Sequence, residues 1–268
     1  MDITLQDKDG LKKIDKFYLD EPCVVSFFIG ELGWLAQRWQ GYLRHLKYNI
    51  YKDHKFLVML NGQFHVLVDD FVNCTIDLPE EFYNLGLETD CYEAPLPNSM
   101  PSSLTPPDVW FRLIEYFREF YNQEKAVEIW TPRGCNQWID MQPQLFTKYH
   151  TEALLDTNRP VLTIFPRGRT RAAFRNVPEH VWFEVVEKLR QKFNIALCGT
   201  TSGSFLVDYQ APNVENFIGK ADLSKVVYLL NNSVCSISSQ SGPTHVSLLS
   251  CCPSFIIGHE RIRHTQDD

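Results

Sequence analysis

Apolar positions along this chain fall into two patterns, short unbroken runs and stripes at helical spacing. Residues 23–29 (CVVSFFI) form a run rich in β-formers that stops at Gly30, which predicts a buried strand. Leu35, Trp39, Tyr42, Leu43 and Leu46 then recur on one helical face, so an amphipathic helix follows. Residues 48–51 read as the next strand and residues 71–77 as a later one. Strand, glycine loop, helix and strand, in that order, build a parallel sheet. Residues 94–107 hold Pro95, Pro97, Pro101, Pro106 and Pro107 and predict a loop. Asp108 is placed to cap a helix whose apolar face is Val109, Leu113, Tyr116, Phe117 and Phe120.

The second half alternates more regularly. Residues 161–166 (VLTIFP) are a strand leading into a basic loop. Pro178 opens a helix with Val181, Trp182, Val185, Val186, Leu189 and Phe193 inward. Strands are expected at 195–199, very briefly at 216–218, at 234–238 and at 253–257. Between them lie a helix capped by Asp222, with Leu223, Val226, Val227 and Leu230 inward, and a helix opened by Pro243. This regularity predicts a doubly wound parallel sheet. The stretch 131–157 is irregular, and its end is the expected connection between two lobes, with the hinge within 145–160. Residues 1–150 and 151–268 are then the two domains.

Composition narrows the function classes. Of 268 residues, 44% are hydrophobic and 22% charged, an ordinary globular balance with enough apolar material for a core. The net charge of -7 argues against broad nucleic-acid binding, which needs a basic surface. Eight cysteines (Cys23, Cys74, Cys91, Cys135, Cys198, Cys235, Cys251 and Cys252) include no C-x-x-C pair. Zinc spacing is absent, and buried free thiols in a reducing cytosol are expected. No apolar run approaches the ~20 residues that span a bilayer, so the expected setting is the cytoplasm, free or peripheral at a membrane surface.

Ligands of open parallel sheets bind at the carboxyl ends of the strands. Three segments of the second half are expected there. Arg167, Arg169 and Arg171, with Arg175 beyond, follow a buried strand, and guanidinium forks suit phosphate. A solvated surface loop is the plainer reading of the same residues. Ser239, Gln240, Ser241, Gly242, Pro243, Thr244 and His245 join a strand to a helix start, where N–H groups and the helix dipole favour an anion. The Ser241 and Thr244 hydroxyls are further donors, unless the segment is a simple turn. Gly199 and Thr200 open a small-residue loop able to lie against a nucleotide. In the first half, Gly30, Glu31, Gly33 and Trp34 follow the first strand, and Glu31 is placed to take a proton from an acceptor hydroxyl. The Asp69–Asp70 pair reads as a solvated turn rather than a metal site.

Residues 161–258, and more weakly 24–51, resemble the heptosyltransferase-like glycosyltransferases. That family's donor lobe has a helix start of the form Asp-Ser-Gly-Pro-x-His, matched here by Gln240-Ser241-Gly242-Pro243-Thr244-His245. Asn216-Phe217-Ile218-Gly219-Lys220 resembles the segment before it. The resemblance implies the GT-B architecture, two Rossmann-like lobes with parallel sheets and a cleft between them. It implies an acceptor-side lobe first and a nucleotide-sugar lobe second, the chain ending before the family's last helices. It also implies transfer from a nucleotide-diphosphate sugar to a hydroxyl of a glycan or lipid-linked acceptor, inverting, with no metal or other cofactor. Two departures stand out. Trp34 follows Gly33 where the family has its aspartate base, and Gln240 replaces an aspartate. Glu31 is the substitute base. A sugar-nucleotide epimerase or hydrolase on the same fold, or a degenerate fold that only binds nucleotides or sugars, is the rival reading.

Overall fold

The computed structural model describes residues 4–7, 10–13, 21–29, 32–79, 107–130, 159–170 and 172–258. The chain divides into two compact units, Met1–Phe146 and Thr147–Asp268. Most of the stretch in which a hinge is expected, 145–158, lies outside the described residues.

The first unit contains strands β1 (Thr4–Asp7), β2 (Gly10–Lys13), β3 (Cys23–Phe27), β4 (Lys55–Leu60), β5 (Cys74–Asp77) and β6 (Ala126–Ile129). They form one sheet in the order β2-β1-β5-β4-β3-β6. The four strands from β5 to β6 are parallel. At the other end β1 and β2 form an antiparallel hairpin, and β1 joins β5 antiparallel, so the sheet is mixed rather than wholly parallel. The helical run 32–50 is α1, and Pro107–Arg118 is α2. Leu113 and Phe117 of α2 pack with Phe120 over Val25, Phe27, Met59 and Ile76. Val24, Phe56 and Val58 are equally buried on the alternate positions of their strands. Leu35, Trp39 and Leu43 of α1 are buried too, and Trp39 meets Phe28 at 5.3 Å between ring centroids.

Residues 48–51 do not form a strand. The helical run continues to Ile50 as a π-type turn, Leu46–Ile50, with Tyr48 and Ile50 half or more exposed. The strand after α1 is instead β4, whose residues from Phe56 to Leu60 are all buried. Core burial, not the β-propensity of an aromatic and a branched side chain, decides which run pairs.

The second unit is a five-stranded sheet with β7 (Val161–Phe165), β8 (Asn194–Leu197), β9 (Val214–Asn216), β10 (Ser233–Ser239) and β11 (Ser254–Ile257). The order is β11-β10-β7-β8-β9 and every pairing is parallel. Its helices are α3 (Glu179–Leu189), α4 (Leu223–Asn231) and α5 (Gly242–Leu249). Pro178 precedes α3, and Trp182 and Val186 are its fully buried residues, over Leu162, Ile164, Ile195 and Leu197. Asp222 caps α4 by accepting from the Lys225 N–H at 2.7 Å. The brief strand falls at Val214–Asn216, two residues before the expected 216–218. Asn216 itself turns to bracing, its amide donating to the carbonyls of Leu206, Val207 and Tyr209.

Candidate functional site

In the second sheet β7 lies between β10 and β8, so the chain leaves β7 in one direction and later returns on its other side. The crevice between β7 and β10 is the topological switch point, where open α/β sheets bind ligands. The loops after β7 and β10 end there, because Phe165 and Ser238 are partners in the register. These loops are Arg167–Thr170 and Gln240–Ser241, two segments over seventy residues apart that the sequence marks for chemistry.

The arginine loop is braced rather than solvated. Arg167 is 7% exposed and donates to the Ala172 carbonyl at 3.2 Å and to the Asn176 side chain. Asn176 also accepts from the Arg169 N–H and returns its amide to the Arg169 carbonyl at 2.8 Å. Pro166 and Gly168 bond Phe205 and Gly203, so the arginine loop runs beside the Gly199–Gly203 loop. Only glycine fits at 168, since a Cβ there would lie 2.9 Å from the Phe205 nitrogen. Two of the three expected donor segments are thereby joined by main-chain bonds. Arg175 is half-buried, and its Nε is buried without a hydrogen-bond partner. Arg171, Gly30 and Glu31 lie outside the described residues. Gly33 and the Trp34 backbone are in the first turn of α1, in the first unit.

At the start of α5 the hydroxyls are not available as expected. The Ser241 and Thr244 hydroxyls both donate to the Ser239 carbonyl, at 3.0 and 3.2 Å, and Thr244 also bonds Ser238. Those bonds shape the turn and commit both hydroxyl protons to it. Pro243 has no N–H, and the Thr244 N–H bonds the Ser241 carbonyl, which leaves the Gly242 N–H as the main first-turn donor. Ser239, at the carboxyl end of β10, is fully buried and its Oγ has no hydrogen-bond partner. Such an orphan is uncommon in a protein interior and marks a place where a ligand or water completes the bonding. Gln240 is buried, His245 is half-buried on α5, and Thr200 is exposed. Sequence reasoning passed over Asn176, whose signal is slight, a polar residue just before a Val-Pro helix start, and it marked Ser239 only as the first residue of the strand-to-helix segment.

Residues 123–248 of the 268 match the sequence model of glycosyltransferase family 9 (heptosyltransferase), a span that includes every described donor-side residue named above. The matched span begins at the end of the first unit, just before β6, and runs to α5 of the second, and over it the chain is similar to that family. Solved structures agree on the fold. The E. coli ADP-heptose LPS heptosyltransferase II is 15% identical with a TM-score of 0.59, over 87% of this chain and 84% of that one. A family 9 glycosyltransferase from Veillonella parvula is 12% identical with a TM-score of 0.54, over 94% and 90%. The E. coli glycosyltransferase TibC, described as dodecameric and iron-containing, is 14% identical with a TM-score of 0.53, over 88% of this chain and 58% of that one. No curated protein sequence matches the chain. The α/β fold expected from the heptosyltransferase-like resemblance is therefore shown, with the antiparallel hairpin of the first sheet as its correction.

The Arg44–Asp70 pair is structural. Asp70 lies in an exposed turn, as expected, but is not merely solvated. It pairs bidentately with Arg44, which is 1% exposed and also bonds Gln40 and the Leu67 carbonyl. Among the described residues no group of three or more His, Cys, Asp or Glu gathers to hold an ion. Most described thiols are buried, with burial pushing Cys198 up to about 12 and Cys23 up to about 11, but Cys251 is exposed. No helix among the described residues is long and apolar enough to cross a membrane.

Proposed function

We propose that this heptosyltransferase-like chain moves a sugar from a nucleotide-diphosphate sugar to a hydroxyl of a glycan or lipid-linked acceptor. The observation that carries the reading is the meeting of the arginine loop and the start of α5 at the switch point, beside the orphan Ser239 hydroxyl. The diphosphate lies against the Gly242 N–H and one or more of Arg167, Arg169 and Arg171. Gly199, Thr200 and the segment Gln240–His245 complete the donor wall. Positive groups fixed in advance stabilise the departing nucleoside diphosphate, which is where catalysis of group transfer gains most. Because arginines and backbone dipoles supply that charge, transfer in this reading needs no metal. Residues 151–268 form the donor side and residues 1–150 the acceptor side, with Gly30, Gly33 and Trp34 lining the acceptor loop. A carboxylate of the first unit takes the acceptor proton, and the sequence offers Glu31. Attack from the face opposite the leaving group inverts the anomeric centre. The reaction is cytoplasmic, with membrane contact only through a lipid-linked acceptor.

ADP-heptose is the first donor to try, since TibC has been solved with ADP-D-β-D-heptose. A ligand that binds only the folded state raises its melting temperature. A thermal-shift and calorimetric screen against ADP-heptose, UDP-glucose and GDP-mannose should give one clear binder. Nucleoside diphosphate should then appear faster when an acceptor is added. An epimerised donor released without acceptor would favour an epimerase. Binding with no turnover at all would favour a non-catalytic nucleotide-sugar receptor.

A further inference from the structure

The carboxyl edge of the first sheet holds a second assembly of polar groups. β5 ends at Asp77, paired in register with Leu60 at the end of β4, so this carboxylate stands at the edge where parallel sheets place their chemistry. Thr75 and Asp77 are two residues apart and share one face of the strand. Against them lies His65 of the 3₁₀ turn Gly62–Leu67, only 6% exposed. Its Nδ1 is 3.3 Å from the Thr75 hydroxyl. Its Nε2 lies 3.2 Å from Asp77 Oδ1, within ion-pair reach but misaligned for a hydrogen bond. In the tautomer with the proton on Nε2, the Thr75 hydroxyl donates to Nδ1 and the imidazole edge lies against the carboxylate. The turn is fixed by Asn61, whose side chain accepts from the Gln63 N–H at 3.0 Å. Gly62 lets the carboxylate come close, since a Cβ there would lie 2.5 Å from Asp77 Oδ1. The Asp77 side chain nonetheless remains 61% exposed.

A buried imidazole that orients an exposed carboxylate is the arrangement of a general base held by a supporting group. Asp69, Asp70 and Arg44 are the other charged groups of this neighbourhood, and Asp70 is already committed to Arg44. The loop after β3 provides no aspartate, since Trp34 follows Gly33. We propose that Asp77 is the catalytic base on the acceptor side and that His65 is its positioning residue, an assignment that rests on the transferase reading above. The Asp77 carboxylate takes the proton of the acceptor hydroxyl. The acceptor oxygen bonds to the anomeric carbon, and the bond from that carbon to the diphosphate oxygen breaks. The electron pair leaves with the nucleoside diphosphate.

The test uses the full chain with whichever of ADP-heptose, UDP-glucose and GDP-mannose it binds, and with water and a set of methyl glycosides as acceptors. Nucleoside diphosphate release is followed. Asp77→Asn should lower kcat by about 10²–10⁴-fold, the range of general-base catalysis, with donor Kd and melting temperature unchanged. Asp77→Glu should recover part of the rate. His65→Leu should lower kcat while leaving donor Kd alone, and His65→Gln, which keeps an N–H donor, should recover more of it. An Asp77→Asn variant within about threefold of the parent, well below the effect of a lost base, overturns the assignment and leaves the transferase reading standing. So does a loss matched by equal loss of donor binding. A parent that binds no sugar nucleotide, or turns none over, overturns the transferase reading and this assignment together.

Discussion

The polar groups beneath the two sheets differ in kind. In the first unit they are opposite charges in pairs, Arg44 with Asp70 and, nearer the surface, Arg118 with Glu128. In the second the groups within the sheet layer are hydroxyls bonded to one another, Ser236 with Ser247 and Ser254, Ser238 with Thr244, and Thr163 with Ser233, while its charge pairs, such as Arg190 with Glu187, belong to α3 and its end. A hydroxyl network satisfies its members without net charge. The positive groups at the edge of the second sheet therefore act above a neutral layer. In the first unit each of these two pairs is balanced where it stands, and stability there is tied to the ionisation of Asp70 and Glu128. The division suits the roles proposed above, a second unit that holds an anion and a first unit that keeps a carboxylate ready.

The largest expected effect comes from breaking a charge pair. Asp70→Ala leaves the Arg44 guanidinium buried without its carboxylate. Removing one partner of a buried pair costs about 3–5 kcal/mol, and the lower end applies because Asp70 is 32% exposed. Urea unfolding should show the first unit melting early while the second keeps its transition. Exchanging the pair for Arg44→Met with Asp70→Leu should restore much of the loss, because apolar isosteres avoid the desolvation of both charges. A second unit that destabilises equally would break the comparison, since the two units would then be one cooperative block.

Next in size is the donor side. A charge-assisted hydrogen bond contributes about 1.5–3 kcal/mol, so Arg169→Ala should weaken donor binding about 10- to 100-fold. Lysine at 169 should rescue only in part, for want of the bidentate fork. Arg167→Ala should weaken donor binding and also lower the melting temperature, because Arg167 braces its own loop through Ala172 and Asn176. Calorimetry and thermal melts on the two variants separate ligand contact from bracing. If both alanine variants bind every donor as the parent does, the diphosphate is held elsewhere.

Much of the second unit is legible in the sequence because its breaks are marked. Pro178, Asp222 and Pro243 open the helices, and buried runs such as 161–165 read as strands whatever their neighbours do. The switch point follows from that alternation. The first unit is harder. Tyr48 and Ile50 have the β-propensity of a strand, yet about half of each is exposed, and the helix continues. The hairpin of β1 and β2 comes from short polar segments with no apolar alternation to announce it. Ser241 and Thr244 were visible as hydroxyls, but whether a hydroxyl faces a ligand or its own backbone is set by the turn. Asp77 and His65 are twelve residues apart and meet only through a 3₁₀ turn, which no periodicity reveals.

A smaller effect concerns pH and should again fall on the first unit. Burial pushes the Glu128 carboxyl up, but hydrogen bonds from Arg118, Tyr121 and Trp130 outweigh it and hold the group below its ordinary value. A depressed folded-state value means stability that is fully present above the unfolded value and is lost as pH falls through the folded one. Glu128→Gln should therefore be less stable than the parent at neutral pH and converge with it in acid. Ser236→Ala, in the hydroxyl layer, should show a pH-independent loss. Stability measured by urea at several pH values distinguishes them, and parallel curves for Glu128→Gln and the parent would sink the contrast.

The smallest expected effect is none, and it bears on how the donor side holds its charge. If arginines and the Gly242 N–H neutralise the diphosphate, a divalent cation has no deficit to fill there. Donor Kd, and turnover with any accepted donor, should then be the same before and after EDTA, and added magnesium or manganese should not tighten binding. Arg169→Ala gives the sharper form of the test. A cation added to that variant could stand in for the missing charge, so rescue of the variant without any effect on the parent would show that the arginine does the work a metal does elsewhere. Loss of donor binding in the chelated parent, restored by manganese or magnesium, would mean that the arginine loop does not suffice. The neutral hydroxyl layer beneath it would then lose its explanation as the floor of an anion site.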